Sequence, residues 1–514
     1  MSPVRMVVAV VPAALGALAS ACAVGPNYHS PHLDLPGSFS AARAPAATTA
    51  EGTGGRARPV DPANWWRSLG DADLDSLVER AIQGNPDLQI ALDRLQEART
   101  QEVVVLGGAL PEINASGGGG IGTGNNQLRG KVNSPLRAAA NTKNLNHVNW
   151  AAGFDADWEL DVFGKYRREI EASHYDTQAA AEARNAVLVT VVADLVRAYL
   201  DMRGVQIQLA VARRAVETAQ KTVDFVQARY QGGFTNALDL ALAQRELATL
   251  RAQVPPLEAQ ISAAQDTIAV LLGRYPEDMK GELTSARALP NIPPQVHAGL
   301  PLDLLKRRPD IREAERQLAG ATARIGVATA DLFPHLVMTG ALGVQSPARA
   351  NGSSFIWSAG PLAFWNFLDF GRLDALVDIA DLQAREQLLV YRATVITAVS
   401  QVDVAVSDYR AQRDRLDDLE GALSASHEAV NLASQRYERG VTDFLNVLDA
   451  ERQEYQLENQ YAVAQITTAD AFVALYKALG GGWEGYQAIP PIHRPRPAVI
   501  AAFARLFSSD DPQK

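Results

Sequence analysis

Two kinds of hydrophobic periodicity alternate along this chain. Apolar residues at steps of four and three run through Val205–Tyr230, and the same steps recur through Leu416–Tyr437. A second segment of this kind follows each of them, over Leu250–Leu271 and Leu457–Leu475. Sustained 3.5-residue spacing indicates helices that pack as coiled coils. The sequence therefore predicts long helices arranged as two pairs.

The first helix of the first pair is unusually long, because no strong breaker stands between Arg167 and Tyr230. At ~1.5 Å per residue it approaches ~95 Å, which no compact domain accommodates. In the helix that follows, Pro255-Pro256 predicts a kink or local unwinding. A shorter helix is expected earlier, over Asp71–Leu106.

Strict alternation replaces the helical pattern just before the long helix. From residue 152 to residue 161, apolar or small side chains alternate with mostly acidic ones, a period of two that is typical of a strand with one apolar and one acidic face. The acidic positions are Asp155, Asp157, Glu159 and Asp161. A weaker alternation over Phe355–Phe367 has the apolar face but lacks the acids.

The chain contains an internal duplication. The segment Arg229-Tyr230-Gln231-Gly232-Gly233-Phe234-Thr235 reappears 207 positions later as Arg436-Tyr437-Glu438-Arg439-Gly440-Val441-Thr442. Earlier in each half the offset is 223, since Leu110-Pro111 matches Phe333-Pro334. The first half therefore contains 16 additional residues, and a Gly/Asn-rich stretch after Pro111 indicates a surface loop there.

The N-terminus carries a targeting signal. Arg5 precedes an apolar run, Met6–Ala17, which is too short for a bilayer that needs roughly 20 apolar residues. We therefore expect residues 1–21 to be a cleaved signal peptide. Cys22, the single cysteine, stands where bacterial lipoproteins carry their acylated cysteine, so we expect a covalent lipid that holds the protein to a membrane. An inert, buried cysteine is the alternative.

Each half reads as one structural unit of helix, strand, loop, strand, long helix, sharp turn and long helix. The predicted fold class is mainly α with a small β part, built from a duplicated helix-strand-strand-helix-helix unit. The expected boundaries are the signal peptide at 1–21, an extended N-terminal segment at 22–70, the first unit at 71–273 (strands at about 111–123 and 148–161), a linker at 274–300, the second unit at 301–482 (strands at about 334–345 and 355–367) and a Pro-rich tail at 483–514.

Composition narrows the functional class. The chain has 514 residues and a formal net charge of −10, with no Lys/Arg-rich run, which argues against a nucleic-acid partner. The eight histidines do not cluster with metal-ligand spacing, and the glycine-rich stretch at 117–124 lacks the Lys-Ser/Thr of a phosphate loop. We expect no enzyme, no metal site and no cofactor apart from the lipid on Cys22.

Two strands in each half are too few to enclose a pore. In lipid every strand edge must be paired, and outer-membrane barrels start at about eight strands. Either the strands pack on a soluble core, or several chains pool them. Three copies would supply 12 strands and a lumen, and their long helices would form a second, helical tube.

These features resemble the TolC-type outer-membrane efflux protein family. The duplicated half, the strand–loop–strand insertion and the R-Y-x-x-G-x-[ST] turn carry the resemblance, which covers roughly Cys22 to Trp483, and the start of that region is similar to the lipid-anchored branch. The family implies a homotrimer with a 12-stranded β-barrel (four strands per chain) in the outer membrane. It further implies an α-barrel of coiled-coil helices across the periplasm, which docks to a periplasmic adaptor protein and an inner-membrane transporter.

The resemblance also implies a periplasmic aperture just after the second turn. Asp449 and Arg452 match charged residues of the family, Leu445 matches an apolar constriction, and Asn446 stands where some members have a second Asp. Three Asp449 side chains around one axis would repel one another unless Arg452 bridges them, and such wet contacts are worth about 0–1 kcal/mol each. An ordinary i,i+3 surface pair is the alternative.

The two repeated turns are expected to be docking tips. Glycine supplies the reversal between antiparallel helices, and the threonine two residues later can cap the next helix. The resemblance adds contact with the adaptor through exposed Phe234 and Val441. The predicted tip residues are Arg229, Tyr230, Gly233, Phe234, Thr235, Arg436, Tyr437, Gly440, Val441 and Thr442.

The acidic strand face has two interpretations. If the apolar face meets lipid, the four acids face the barrel lumen, and three copies make the conduit favour cations. A merely solvated strand face is the alternative.

The sequence as a whole favours an outer-membrane channel subunit of a tripartite efflux or secretion system, anchored by lipid and extending into the periplasm. The alternative is a non-channel periplasmic coiled-coil lipoprotein that acts as a structural tether. The apolar strand faces discriminate between the two, because a tether needs no membrane-sized apolar band.

Overall fold

The structure is a computed structural model that describes residues 23–39, 60–122, 147–279, 281–283, 287–290, 292–293, 301–345 and 353–486. The predicted signal peptide, Cys22 and the tail beyond residue 486 lie outside these ranges. The helices are α1 (Ala72–Gly84), α2 (Pro86–Gly108), α3 (Lys165–Gln231), α4 (Ala237–Arg251), α5 (Val254–Leu271), α6 (Pro301–Arg307), α7 (Pro309–Ala330), α8 (Arg372–Glu438) and α9 (Phe444–Ala478). The strands are β1 (Glu112–Gly122), β2 (His147–Leu160), β3 (His335–Gln345) and β4 (Ser354–Phe364).

Two helices dominate the fold. α3 and α8 each span 67 residues, or about 100 Å at 1.5 Å per residue. Each begins after a glycine with a φ of 82°, Gly164 and Gly371. The predicted long helix is confirmed, and the duplication repeats it at the offset of 207.

The helix predicted over Asp71–Leu106 is wrong as a single element, because α1 ends at Gly84 and α2 begins at Pro86. Asn85 between them has an extended backbone, which the residue before a proline prefers. Its side chain accepts a hydrogen bond from the Leu88 N–H at 3.1 Å and so caps α2.

The interruption predicted at Pro255-Pro256 is confirmed. α4 ends at Arg251 and α5 begins at Val254. The break falls just ahead of the prolines, because proline has no N–H to donate to the carbonyl four residues earlier. Both pieces still pack along α3.

The strands form one antiparallel sheet in the order β1-β2-β3-β4. Each half contributes one hairpin, and β2 pairs with β3 to join the two. β1 and β4 are therefore the edges of the sheet, each with one partner strand among the described residues. β4 ends at Phe364, three residues short of the expected boundary at residue 367.

The main core lies where α3 and α9 meet α1 and the 3₁₀ segment that precedes it. Trp65 and Trp66, in the 3₁₀ segment Pro62–Leu69, are each 1% exposed. The Trp65 ring stacks on Tyr476 of α9 with 5.5 Å between ring centroids. A smaller cluster lies near the repeated turns and includes Val226, Leu247, Val447 and Phe444.

Candidate functional site

One face of the sheet is apolar and exposed across all four strands. The register places Phe154 opposite Leu342, and Leu342 opposite Trp357. These side chains are 53%, 52% and 74% exposed. Further apolar residues on the same face are Ile113, Ala115, Met338, Val344 and Phe355. Soluble monomers rarely expose a contiguous apolar patch of this size, so the face requires an apolar environment.

The strands are long enough to cross an outer membrane. β1, β3 and β4 have 11 residues and β2 has 14. At about 3.3 Å per residue, 11 residues extend about 36 Å, and a tilt of about 40° leaves a height of about 28 Å. That height is close to the roughly 25 Å apolar band of outer-membrane barrels.

Two tryptophans at equivalent positions of the duplication join the base of the sheet to the ends of the preceding helices by hydrogen bonds. Trp158 Nε1 donates to the Ala109 carbonyl at 3.1 Å, and Trp365 Nε1 donates to the Leu332 carbonyl at 2.9 Å. Each acceptor closely follows the helix that precedes a hairpin. Trp365 is 55% exposed, and neither tryptophan belongs to the hydrophobic clusters of the described residues. The apolar face is therefore not folded into a soluble core.

Two of the four predicted lumen-facing acids are held by local partners. Glu159 accepts a hydrogen bond from the Tyr166 hydroxyl at 3.0 Å and lies 2.6 Å from Nδ1 of His335. Asp161 accepts from the backbone N–H of Tyr166 at 3.1 Å and of Arg167 at 3.0 Å, and from Arg167 Nε at 3.1 Å. Both carboxylates therefore form hydrogen bonds to the first turn of α3.

Asp155 and Asp157 lie further along the polar face of β2. Asp155 is 6% exposed and lies 3.5 Å from the Ser116 hydroxyl. The register places Asn114 opposite Asp155 and Glu112 opposite Asp157. Asp157 and Glu112, which lie opposite each other, are therefore the carboxylates that give this face its negative charge.

The two predicted tips share one backbone conformation. Gly233 and Gly440 have φ values of 75° and 70°, a region that other residues adopt only with strain. Phe234 and Val441 follow them and are 77% and 64% exposed. Leu238 and Leu445, in the next helices, are also exposed. Each tip thus presents a small apolar surface.

Arg229 and Tyr437 lie beneath the tips rather than on them. Tyr437 is 7% exposed and contacts the ring of Phe444, with 5.6 Å between centroids. The Arg229 guanidinium lies 4.8 Å from the Tyr437 ring centre and 5.8 Å from that of Phe225. The pair joins the ends of α3 and α8, whereas Tyr230 and Arg436 are exposed.

The prediction that Thr235 and Thr442 cap the following helices is wrong. Asn236 is the N-cap of α4, and its amide oxygen accepts from the Asp239 N–H at 3.0 Å. Thr235 instead bonds the Asp239 carboxylate. In the second turn Thr442 accepts from the Asn446 side chain at 2.6 Å, and the N-cap of α9 has no side-chain hydrogen bond within the described chain. A cap must stand directly before the first helical residue, one position after each threonine.

The predicted aperture residues lie in the first turns of α9, where Leu445, Asn446 and Asp449 are exposed. Arg452 is turned to α4: its Nε donates to the Glu246 carboxylate at 2.7 Å, and its terminal nitrogen bonds the same oxygen. This contact raises the pKa of Arg452 above its ordinary value. Among the described residues Arg452 forms its ion pair with Glu246, and the charge of Asp449 makes a smaller contribution to the raised pKa of Arg452.

A charged cavity lies behind this ion pair, between α3, α4 and α9. Its volume is about 230 Å³. Burial raises the pKa of Glu451 and Glu458 in its wall, and Thr222 of α3 donates to Glu451 at 3.0 Å. Glu454 lies 2.5 Å from Nδ1 of His427. The helices next to the predicted aperture are therefore joined by polar contacts.

The segment that follows Cys22 is bound at the base of the sheet. The Val24 N–H donates to the carbonyl of Phe163, just beyond β2, at 3.1 Å. Arg168 of α3 is 4% exposed and donates from Nε to the Val24 carbonyl at 3.1 Å. Its Nη2 donates to the Gly25 carbonyl at 3.2 Å and to Asn27 Oδ1 at 2.7 Å. Arg168 thus clamps this segment with three bonds.

A glycine of α7 makes room for the clamped segment. A Cβ on Gly326 would lie 2.9 Å from the Val24 carbonyl oxygen and 2.8 Å from Arg168 Cγ. Cys22, the predicted lipid site, lies outside the described residues. The described segment that follows it is held at the boundary between the sheet and the helices.

Sequence reasoning missed Glu246 and Arg168. Glu246 is one of many charged residues on a helix, and no spacing distinguishes it. For Arg168 the sequence did contain a signal. It lies just after the repeated Phe163-Gly164, but the equivalent position in the second half is Ala375, so the duplication is not kept at this residue. A break in the duplication marks a contact that only one half makes.

Comparison with known proteins gives consistent matches. The family model described as "Outer membrane efflux protein" matches residues 77–274 and 300–481. Nodulation protein T of Rhizobium leguminosarum bv. viciae is 31% identical over 97% of this chain and 98% of that protein. The pyoverdine export outer membrane protein OpmQ of Pseudomonas putida is 31% identical over 86% of this chain and 93% of that protein.

Solved structures agree with these matches. The outer-membrane channel OprN has a TM-score of 0.78 at 35% identity, covering 90% of this chain and 100% of that one. CusC has a TM-score of 0.75 at 25% identity, covering 90% of this chain and 100% of that one. Both the sequence and the backbone of this chain are thus similar to those of channels over nearly the whole described length.

Proposed function

The chain belongs to the outer membrane efflux protein family, and we propose that three copies of it form one outer-membrane channel of a tripartite efflux or secretion system. Members of this family are channel proteins rather than enzymes. The observation that carries the proposal is the open sheet, whose apolar face is exposed and whose edge strands, β1 and β4, each have one partner strand in the part of the chain that the structure describes. A periplasmic tether needs neither feature.

Hydrogen-bond closure supports the trimer. An open edge in the hydrocarbon region leaves backbone N–H and C=O groups without partners, at a cost of several kcal/mol each. The described part of one copy supplies four strands, too few to close a barrel, whereas three copies supply 12, within the range of known outer-membrane barrels. The apolar face then meets lipid, and the polar face lines the lumen.

The long helices extend the conduit into the periplasm. α3 and α8 start at the base of the sheet and run about 100 Å away from it, so three copies form a tube of helices. The exposed tips at Phe234 and Val441 lie at its far end. We assign these tips to a periplasmic adaptor that is joined to an inner-membrane transporter.

The aperture is the narrow end of this tube. We place Leu445, Asn446 and Asp449 around its axis, and we assign to the Arg452–Glu246 pair the role of holding α9 against α4 in the closed state. Ion pairs near the surface contribute about 0–1 kcal/mol, a scale that an adaptor contact overcomes. Opening then requires that α9 separate from α4.

The lipid on Cys22 would anchor each copy in the periplasmic leaflet of the outer membrane. The bound segment after Cys22 supports this anchor, because it ends beside Phe163 at the base of the apolar face. Acyl chains attached there reach the membrane without crossing the lumen.

The lumen is proposed to conduct by size and charge rather than by recognising one cargo. The names of similar proteins include pyoverdine export and cation efflux. Asp157 and Glu112 on the polar face support a modest cation preference.

Two measurements test this proposal together. Native mass spectrometry of the detergent-extracted protein should give three chains, and the same particle should form cation-selective pores in planar bilayers. A monomer that inserts no pores would sink the channel assignment.

A further inference from the structure

α3 has two different sides at the level of the main core. Leu188 and Leu195 are fully buried in that core, against which residues of the N-terminal segment 23–39 also pack. Thr190 and Arg197 each follow one of these leucines by two residues, which is about 200° around a helix. Both are exposed. One side of α3 is therefore covered by the core, and the other side is open.

The open side of α3 lines the lumen in the proposed channel. The lipid on Cys22 has to reach the membrane outside the barrel, so the segment that follows it runs along the outer surface. Because this segment packs against the core, the core side of α3 is the outer side. α9 has the same two sides: Phe472 is fully buried in the core, whereas Lys477 lies 3.0 Å from Asp194 on the open side of α3.

A groove of about 910 Å³ opens on the lumen side, between α3 and α8, where α9 ends beside the start of α7. Small-molecule sites have volumes of about 300–1,000 Å³ and are mostly apolar, with a few polar groups that orient the ligand. This groove fits that description in size and in lining. The apolar residues that line it include Val189, Ile396, Val404 and Ala474, and the hydroxyl groups are those of Thr190, Thr397 and Ser400.

The charges that line the groove are paired within the protein, with one exception. Arg308 lies 2.6 Å from Asp310, and Lys477 pairs with Asp194 as described above. Asp408 accepts a hydrogen bond of 3.4 Å from an amide side chain one turn along α8, and it has no ion-pair partner in the described part of the chain. The groove therefore presents one carboxylate whose charge no neighbouring cation neutralises.

The duplication shows how this carboxylate differs from its counterpart. Asp408 is equivalent to Asp201 at the offset of 207. In the first half Arg197, one turn before Asp201, lies 3.9 Å from that carboxylate. The residue equivalent to Arg197 is Val404, which is 65% exposed. The second half thus keeps the carboxylate and has an apolar side chain in place of its cation.

We propose that the groove binds amphiphilic organic cations from the lumen, with the positive charge beside Asp408 and the apolar part against Val404 and Val189. This inference rests on the proposed channel and adds a class of solute that its lumen binds. The arrangement favours such ions because the apolar part leaves water while the charge gains a counter-ion. Three copies place three grooves at one height of the conduit.

The position of the groove suits a site on a route rather than a storage site. A conduit needs binding that is favourable enough for entry and weak enough for release. Asp408 is exposed, so its interaction with a bound cation is weakened by water. Arg308 is 8% exposed and also donates to the Ala478 carbonyl at 2.7 Å, so the wall beneath the solute is held in place by buried bonds.

Three small ions separate the contribution of charge from that of apolar surface. Benzyltriethylammonium has a positive charge and an aromatic ring, tetraethylammonium has the charge without the ring, and benzenesulfonate has the ring with a negative charge. Each is added to the unsubstituted protein in planar bilayers, and the concentration that halves the ion current is measured. We expect benzyltriethylammonium to block at concentrations about tenfold lower than the other two ions.

Two substitutions in the groove test the assignment of Asp408. Asp408→Asn removes the charge at nearly constant shape and should raise the blocking concentration of benzyltriethylammonium about tenfold. Val404→Arg restores the cation of the first half one turn before the carboxylate and should have a similar effect. Asp201→Asn is the matched control, because that carboxylate already lies beside Arg197, and it should leave the block unchanged.

The outcomes separate the groove from the channel itself. Weaker block in both groove variants, with normal block in Asp201→Asn, supports the site. Equal block by the three ions, block that survives both groove substitutions, or equal loss in Asp201→Asn overturns the site, while the pores themselves uphold the proposed channel. An unsubstituted protein that forms no pores overturns both. Saturation-transfer NMR of benzyltriethylammonium with the detergent-extracted protein measures binding in any variant that folds but does not conduct.

Discussion

Arg452 of α9 and Glu246 of α4 form an ion pair 206 residues apart in sequence, next to the segment predicted to form an aperture. The Glu246 side chain is 14% exposed and the Arg452 side chain 36%. This partly buried link joins the last helix of one half to a helix of the other. Removal of either side chain therefore weakens the attachment of α9 while leaving both helices intact.

We predict that Arg452→Ala and Glu246→Ala each raise ion conductance in planar bilayers several-fold. Because the two residues form one contact, the double variant should conduct no better than the single ones. Glu217→Ala, which removes an exposed carboxylate that pairs with Lys221 on the same helix, is the matched control. Additive increases would show that the two residues act separately.

Asp449 is predicted to act on the same aperture by a different route. Three exposed Asp449 carboxylates around one axis attract cations and repel one another, so Asp449→Asn should lower cation selectivity in bilayers more than it changes total conductance. Asp443→Asn at the exposed start of the helix is the control. An unchanged reversal potential in a salt gradient would remove Asp449 from the aperture.

Cys22→Ser is predicted to abolish incorporation of radioactive palmitate while leaving the protein folded. The bound segment is held by Arg168 rather than by the lipid, so its docking should persist in this variant. Label that remains on the serine variant would refute the anchor.

Gly326→Ala is predicted to free the N-terminal segment without removing its lipid. The added methyl group would lie 2.9 Å from the Val24 carbonyl oxygen, so the segment must move. The expected result is retained palmitate label with new protease cleavage within residues 23–39. Gly37→Ala meets no atom within 4 Å and is the matched control. Equal protease resistance of the two variants would argue against the clamp.

Asp470 is predicted to make stability depend on pH. Burial, together with Asp201, raises its pKa to about 6 from 3.8. A raised pKa means that the folded state binds the proton more tightly, so this contribution is complete below about pH 4 and is lost as pH rises through 6. Asp470→Asn should therefore stabilise the protein at pH 7.5 by about 2–3 kcal/mol and have little effect at pH 4.

Thermal unfolding of the detergent-extracted protein at both pH values measures this effect. Asp194→Asn, also at the α3–α9 contact but in an exposed pair with Lys477, should shift the midpoint little at either pH. A midpoint for Asp470→Asn that falls equally at both pH values would mean that Asp470 stabilises the fold as a carboxylate.

Local sequence gave most of the architecture. The 3.5-residue spacing and the absence of breakers predicted the 67-residue helices, because helical periodicity depends only on residues that are near in the chain. The period of two predicted the apolar face of β2. The pattern failed at Asn85, where a cap and a proline together end a helix inside a continuous apolar repeat.

Contacts between distant segments required the folded chain. No spacing relates Arg452 to Glu246, or Arg168 to the carbonyls of Val24 and Gly25, since these partners meet only after the helices pack. The acids illustrate the same limit. The sequence places Glu159 and Asp161 on one strand face with Asp157. Only the structure shows that both form hydrogen bonds with the start of α3 and that Glu159 also contacts His335.

The sequence by itself determined the repeated unit with its helices and strands, because hydrophobic periodicity depends on residues that are near one another in the chain. Only the tertiary structure decided the register between the hairpins, and that α7 covers part of α3 whereas Ile379 and Ile396 of α8 are exposed. Both depend on how the two halves of the repeat pack against each other. That packing is made by side chains that are far apart in the sequence and come into contact only in the folded chain.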